Sequence, residues 1–316
     1  MQRDVAAYFE QTVIPLVADK YPDVASEMSI QILGSYGLGI ADEFSDLDSV
    51  IWLEDDLWKV QGGQVQLMLE QLPEKFAPTD LYPGHYHPEI CVWPLSWLRH
   101  RREFLEDKQE LPWELVTFEE LFELQENLVL RDPHDVFRRL KAATAPERFP
   151  GWLWRKRLIQ ELKKLGNDCL EIQQVIKRHR VAEAHIILGR VLEDLLHLGF
   201  IVRRRYYPWS THLGWAFGRL PEPAPSASPH IEAAASSRDW NEKLTALESV
   251  REIYADYITE NDILSPQILE NILWAERLEA WSNPGWHEDV VRCERKATEA
   301  GVHSRHGWIW SLWGWQ

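Results

Sequence analysis

The sequence predicts an α+β protein: a small mixed β-sheet with flanking helices in residues 1–150, then a mostly α-helical domain in residues 151–316. Two observations favour this class. Short β-rich runs are confined to the first hundred residues, at Met28–Leu33, Ser49–Leu53 and Glu89–Trp93. From Trp97 onward the apolar residues recur at helical spacing, and we predict no further strand.

The helices follow from the same periodicity. Asp4–Lys20 carries apolar residues at near-helical spacing, which indicates an opening amphipathic helix. Gln64–Leu72 and the long stretch Gly151–Gly199, which has few helix breakers, are also predicted to be helical. Arg203–Trp209 is a basic, aromatic elbow. Residues 219–239 are rich in Pro, Ala and Ser and are predicted to form a surface loop or linker.

Charge is unevenly distributed along the 316 residues, which hold 34 basic and 50 acidic side chains and a formal net charge of −16. Residues 1–150 hold 13 basic and 28 acidic side chains, whereas residues 151–205 hold 12 and 6. The first part therefore lacks the broad basic surface that long nucleic acid requires.

The chain has no apolar run of bilayer length, no signal-peptide core and no cysteine spacing typical of disulfides or metal sites. We expect a cytoplasmic protein without membrane partners.

One motif in the first part points to chemistry. Gly34 and Ser35 follow the strand that ends at Leu33, and ten residues separate Ser35 from Asp46-Leu47-Asp48. A Gly-Ser turn lets backbone N–H groups and a hydroxyl approach a phosphate. Asp46 and Asp48 lie two apart on a predicted strand, so both carboxylates would point to the same face and repel unless a cation bridges them. Mg²⁺ prefers such oxygen ligands. The alternative is a hairpin loop that carries an acidic cluster.

The segment GSYGLGIADEFSDLDSVIWL, residues 34–53, resembles the signature of the DNA-polymerase-beta-like nucleotidyltransferase superfamily. The resemblance covers the chain from the opening helix to about residue 100. It implies transfer of a nucleoside monophosphate from an NTP, with ATP the expected donor, to a hydroxyl acceptor, with release of pyrophosphate.

The resemblance also implies a set of site residues. Asp46 and Asp48 would hold Mg²⁺, and a third carboxylate on a later strand would complete a site for two ions. Glu89 is the candidate for this third acid by position, and Asp80 is the alternative. The residues of this part predicted to bind the nucleotide are Gly34, Ser35 and Ser45.

The second half, with Arg204-Arg-Tyr-Tyr-Pro-Trp209, looks like the helical domain of a poorly characterised bacterial family that follows such minimal nucleotidyltransferase domains. Where that motif leads us to expect a lysine, this chain has Ser210, Thr211 and His212. Because arginine can clamp phosphate and aromatic rings can stack on a base, Arg204 and Tyr207 are predicted to contact the nucleotide.

Several functions remain open at this point. The acceptor hydroxyl is expected on an aminoglycoside-like small molecule, or on a protein or a tRNA end, which includes an antitoxin role. A different class of function is a non-catalytic module that senses nucleotide or binds a toxin. The tryptophan-rich tail His303–Gln316 is predicted either to pack on a surface, as in a contact with a partner protein or a second copy, or to be disordered.

Overall fold

The computed structural model describes residues 2–42, 44–72, 89–96, 116–265 and 269. The chain divides into two compact units. The first comprises residues 1–112 and 120–148, and the second comprises residues 113–119 and 149–316. The first unit contains a four-stranded sheet with helices, and the described part of the second is helical. The predicted α+β class is therefore confirmed.

The described strands are β1 (Ser29–Ile32), β2 (Asp48–Leu53), β3 (Glu89–Pro94) and β4 (Val129–Arg131). The described helices of this part of the chain are α1 (Gln2–Tyr8), α2 (Ile14–Lys20), α3 (Pro22–Glu27), α4 (Gly34–Leu38), α5 (Asp55–Leu57), α6 (Gly63–Leu69), α7 (Phe118–Glu126) and α8 (Val136–Ala143). Two π-helical segments join α1 to α2 and α5 to α6: Phe9–Val13 and Trp58–Gly62.

The sheet has the order β3-β2-β1-β4. Strand β2 runs antiparallel to β1 and parallel to β3, and β1 runs antiparallel to β4. All four residues of β1 are buried, as are residues 49–53 of β2. Burial of both faces explains why β2 is continuously apolar from Val50 to Leu53. In β1 the buried Ile30 and Ile32 alternate with the polar Ser29 and Gln31, which are also buried.

The opening helical segment forms one side of the core of the first unit. Val5, Phe9, Val13 and Val17 are all fully buried and lie four residues apart, so they form one apolar stripe. This stripe belongs to the same buried cluster as Ile30, Ile32, Ile51 and Leu53 of the sheet. The predicted helix over Asp4–Lys20 is therefore present, with the π-helical segment inside it.

The second unit is built on a long helical hairpin. Its described helices are α9 (Gly151–Lys177), α10 (Val181–Val202), α11 (Ser210–Phe217), α12 (Ala224–Ser236) and α13 (Trp240–Glu260). Helices α9 and α10 pack together and are joined by three residues, among which His179 has a φ of 58°. Of the polar side-chain contacts that cross the hairpin, three join residues equally distant from His179: Lys164 with Asp194, Asp168 with Arg190, and Glu161 with His197.

Phe118 lies fully buried at the centre of an aromatic cluster in the second unit. Its ring meets the rings of Phe149, Trp154, Tyr206 and Tyr207 edge-on, at centroid distances between 4.7 and 5.3 Å. Edge-to-face contacts of this kind stabilise a core beyond the area that they bury. The two tyrosines of the predicted elbow therefore pack inward, whereas its Trp209 is exposed.

The structure corrects two secondary-structure predictions. Residues 219–239 were predicted to form a loop, but most of them belong to helix α12, which packs against α13. Ala224, Ala227 and Ala234 are buried on α12, and their small side chains allow close helix packing. Strand β4 was not predicted, because three residues are too few to show a period and its residues are only half-buried.

None of the helices that the structure describes is long and apolar enough to cross a bilayer.

Replacement of Gly37 tests the packing of α4 on the sheet. A Cβ at this position would lie 2.3 Å from the carbonyl oxygen of Ile32, which is backbone and cannot swing away. We expect Gly37→Ala to lower the free energy of unfolding by about 2–3 kcal/mol, measured by denaturant titration. Gly63→Ala is the control, because a Cβ there meets nothing within 4 Å. This control is expected to be neutral or to stabilise by up to about 1 kcal/mol. Equal stability of the two variants would contradict the packing.

Candidate active site

Two acidic residues meet where strands β2 and β3 begin. Asp48 and Glu89 are the first residues of these parallel strands and are paired directly in the register. Backbone hydrogen bonds hold this edge together: the N–H of Glu89 donates to the carbonyl of Leu47 at 2.9 Å, and the N–H of Leu33 donates to the carbonyl of Asp48 at 2.8 Å. The end of β1 and the starts of β2 and β3 therefore lie at one edge of the sheet.

The Gly-Ser turn lies at the same edge. Gly34 opens α4 with a φ of 55°, a conformation that disfavours other residues because of their Cβ. A Cβ at Gly34 would lie 3.4 Å from Oδ2 of Asp48, so the glycine backbone passes beside this carboxylate. The hydroxyl of Ser35 forms no hydrogen bond with any residue that the structure describes. Gly34 thus lies beside Asp48, and the contact of Ser35 with a ligand stays a prediction.

The carboxylates at this edge repel one another. The pKa of Asp48 is raised by burial and, to a smaller degree, by the negative charges of Asp46 and Glu89. Asp46 lies two residues before Asp48, which is the first residue of β2. Its negative charge is close enough to raise the pKa of Asp48, and the shared strand face of the two carboxylates stays a prediction. Asp46 and Glu89 are both exposed. Carboxylate oxygens of this kind suit a hard divalent cation such as Mg²⁺.

A thiol lies beside these carboxylates. Cys91 lies two residues after Glu89 on β3, and burial and the negative charges of Glu89 and Asp48 raise its pKa. The predicted metal ligands among the described residues of this edge are the carboxylates of Asp46, Asp48 and Glu89.

Ser45 belongs to a tight turn ahead of the carboxylates. Its hydroxyl donates to Oδ1 of Asp42 at 2.9 Å and accepts from the N–H of Asp42 at 3.0 Å. Oδ1 of Asp42 also accepts from the N–H of Phe44, and these hydrogen bonds lower the pKa of Asp42. The serine thus shapes the chain that leads into Asp46. Its contact with a nucleotide stays a prediction.

The two predicted nucleotide-binding residues of the second unit differ in their surroundings. Arg204 is exposed and borders a depression that is also lined by Trp152 and Arg155. Tyr207 is packed in the aromatic cluster, with one face of its ring stacked on His197 at a centroid distance of 3.9 Å. One face of the Tyr207 ring is therefore covered, and its contact with a nucleotide stays a prediction. The predictions for Asp80 and for the tail from His303 fall outside the described residues.

Sequence reasoning missed a second group of polar side chains. Glu161, Asp194 and His197 offer ligand atoms that all lie within 4.8 Å of one another, and no other trio of metal-ligand type in the described chain is as close. Burial and, next, the charge of Glu161 raise the pKa of Asp194 to about 7, against the lowering effect of Lys164. Within the sequence, only the Asp-x-x-His spacing of Asp194 and His197 on α10 could have indicated this group. Glu161 joins them from the facing helix α9, so no local spacing connects it to the other two.

One protein-family model matches part of this chain. Residues 113–215 match the family model described as a domain of unknown function, DUF4037. A nucleotidyltransferase-like protein from Exiguobacterium sibiricum 255-15, solved by crystallography, is similar to this chain at 13% identity and a TM-score of 0.39, with 92% of each chain covered. A likeness this distant does not establish a shared fold. No curated protein matches the chain.

Neutralising Asp48 tests whether the carboxylates repel one another. We expect Asp48→Asn to raise the unfolding free energy of the metal-free protein at pH 7 by about 0.5–1 kcal/mol, since the variant removes a partly buried charge beside two others. Thermal unfolding in chelator measures the effect. Asp56→Asn is the control, because Asp56 is exposed and has only a surface contact with Lys59 at 3.4 Å; its change should stay within about 0.5 kcal/mol. A destabilised Asp48→Asn would show that this carboxylate is already compensated.

Proposed function

We propose that the first unit is a Mg²⁺-dependent nucleotidyltransferase domain, similar to those of the DNA-polymerase-beta-like superfamily. It would move a nucleoside monophosphate from an NTP, with ATP the expected donor, to a hydroxyl acceptor. One observation carries the proposal: the positive-φ Gly34 turn and the acidic residues Asp48 and Glu89 share one edge of the sheet. A structural hairpin would gain nothing from like charges placed together, whereas a site for a metal-bound triphosphate needs them.

Each residue has a role in this reaction. Asp46 and Asp48 would hold Mg²⁺ at the triphosphate. When bound, two Mg²⁺ ions would neutralise the developing charge on the attacking and leaving oxygens. The Gly34-Ser35 turn would bind the terminal phosphates through backbone N–H groups and the Ser35 hydroxyl. Glu89 would help to hold the second ion or accept the proton of the acceptor hydroxyl.

The bond changes are those of a nucleotidyl transfer. The acceptor oxygen forms a bond to the α-phosphorus as the bond from that phosphorus to the bridging oxygen of pyrophosphate breaks. Pyrophosphate leaves with the electron pair of the broken bond, and the hydroxyl proton passes to Glu89 or to solvent. Positioning and charge neutralisation supply most of the rate enhancement in phosphoryl transfer.

The acceptor can be identified by the label that it receives. Purified protein is incubated with Mg²⁺ and each α-labelled NTP in turn, in the presence of an aminoglycoside mixture, tRNA or cell lysate. Label on a small molecule would support an aminoglycoside-like acceptor, and label on protein or tRNA would support the corresponding alternative. Nucleotide binding without label on any acceptor would favour a sensing module and contradict the proposed transfer.

Loss of either aspartate tests the catalytic assignment. We expect Asp46→Asn and Asp48→Asn each to lower label transfer by at least about 100-fold, since each removes charge that stabilises the transition state. Circular dichroism and thermal unfolding check that both variants remain folded. Asp56→Asn removes an equally negative but exposed side chain outside the site and should transfer label normally. Undiminished transfer by either active-site variant would overturn the assignment.

A further inference from the structure

Three side chains of the second unit converge across the helical hairpin. Asp194 and His197 lie three residues apart on α10, so they occupy the same face of that helix. The register of the hairpin brings Glu161 of α9 opposite them, with Oε1 of Glu161 3.4 Å from Nδ1 of His197. Ligand atoms of all three lie within 4.8 Å of one another. All three residues belong to the second unit, whereas the carboxylates of the sheet edge belong to the first.

Two acceptor atoms in this cluster are buried and have no hydrogen bond. The side chain of Asp194 is fully buried, and its Oδ2 has no hydrogen-bond partner. The same holds for Oε1 of Glu161, because its contact with His197 lacks hydrogen-bond geometry. Buried acceptors without a donor are rare in folded proteins because they lose their hydration without replacement. Two such acceptor atoms in one cluster indicate that a positively charged group binds between them.

The positive groups that the structure places nearby compensate only part of this charge. Lys164 donates to the other oxygen of Asp194, Oδ1. Arg190 is engaged by Asp168, which accepts two hydrogen bonds from its guanidinium at 3.1 Å each. Lys164 therefore pairs with Asp194, while the charge of Glu161 beside it raises the pKa of Asp194.

We propose that Glu161, Asp194 and His197 bind a divalent first-row transition-metal ion such as Zn²⁺. An imidazole nitrogen beside two carboxylates suits Zn²⁺ or its neighbours better than Mg²⁺ or Ca²⁺, which prefer oxygen ligands alone. Three protein ligands leave a coordination position for water or for an oxygen of a substrate. The ring of Tyr207, stacked on His197 with an interplanar angle of 15°, holds the imidazole in its orientation. The ion would join α9 to α10.

Metal binding by the full-length protein tests this site directly. Protein stripped with a chelator is titrated with Zn²⁺ and, separately, with Co²⁺, whose visible absorption reports the ligand set. We expect one equivalent to be retained after gel filtration, with affinity at least about 10–100-fold weaker in Glu161→Gln, Asp194→Asn and His197→Gln. Asp48→Asn should retain the ion, which separates this site from the proposed Mg²⁺ site. Glu171→Gln removes the same charge from an exposed position on α9 and should also bind normally.

Lys164 distinguishes a metal site from a plain ion-pair network. If a metal ion binds, Lys164→Gln frees Oδ1 of Asp194, so Zn²⁺ should bind more tightly and raise the unfolding midpoint of this variant. If the cluster is only an ion pair, Lys164→Gln should lower the midpoint and Zn²⁺ should not restore it, which overturns the proposal. Equal Zn²⁺ binding by wild type and His197→Gln also overturns it. His197→Gln serves as the decisive variant should Asp194→Asn fail to fold, since His197 is slightly exposed.

Discussion

The pairing of strand β2 with both of its neighbours is the constraint on which the candidate active site depends. Antiparallel pairing with β1 brings the end of that strand, and with it the Gly34 turn, to the start of β2. Parallel pairing with β3 places Glu89 directly beside Asp48. A shift of the register by one residue would turn these side chains to the opposite face of the sheet. The apolar residues Val50 to Leu53 of β2 stabilise this register, because they must stay buried.

The two acidic groups described above share one physical feature. In each, a partly or fully buried aspartate lies beside another negative charge, and burial is the larger effect on its pKa. Such arrangements destabilise the folded chain unless a cation enters, so they are expected where binding is needed rather than stability. The groups differ in their proposed ligands. Those at the sheet edge are carboxylates, whereas the hairpin adds an imidazole, and this difference is the basis for expecting different ions.

The aromatic cluster around Phe118 separates the side chains of the elbow into two groups. Tyr206 and Tyr207 both contact Phe118 edge-on, and Tyr207 also covers the ring of His197. The arginines of the elbow remain exposed, Arg204 among them, and so does Trp209. The two tyrosine rings therefore pack the core and orient the imidazole, whereas the arginines and Trp209 face solvent.

The sequence by itself determined the features that depend on neighbours along the chain. The α+β class, strands β1 to β3, the opening helix and the Gly34-Ser35 turn are local patterns, and the predictions for them are confirmed. The sequence did not reveal strand β4 or helix α12, because partners elsewhere in the fold stabilise them. Only the tertiary structure decided which side chains meet: Glu89 beside Asp48 through strand pairing, Tyr207 against His197, and Glu161 opposite Asp194 through the hairpin. These contacts join residues far apart in the chain, so no local period or spacing encodes them.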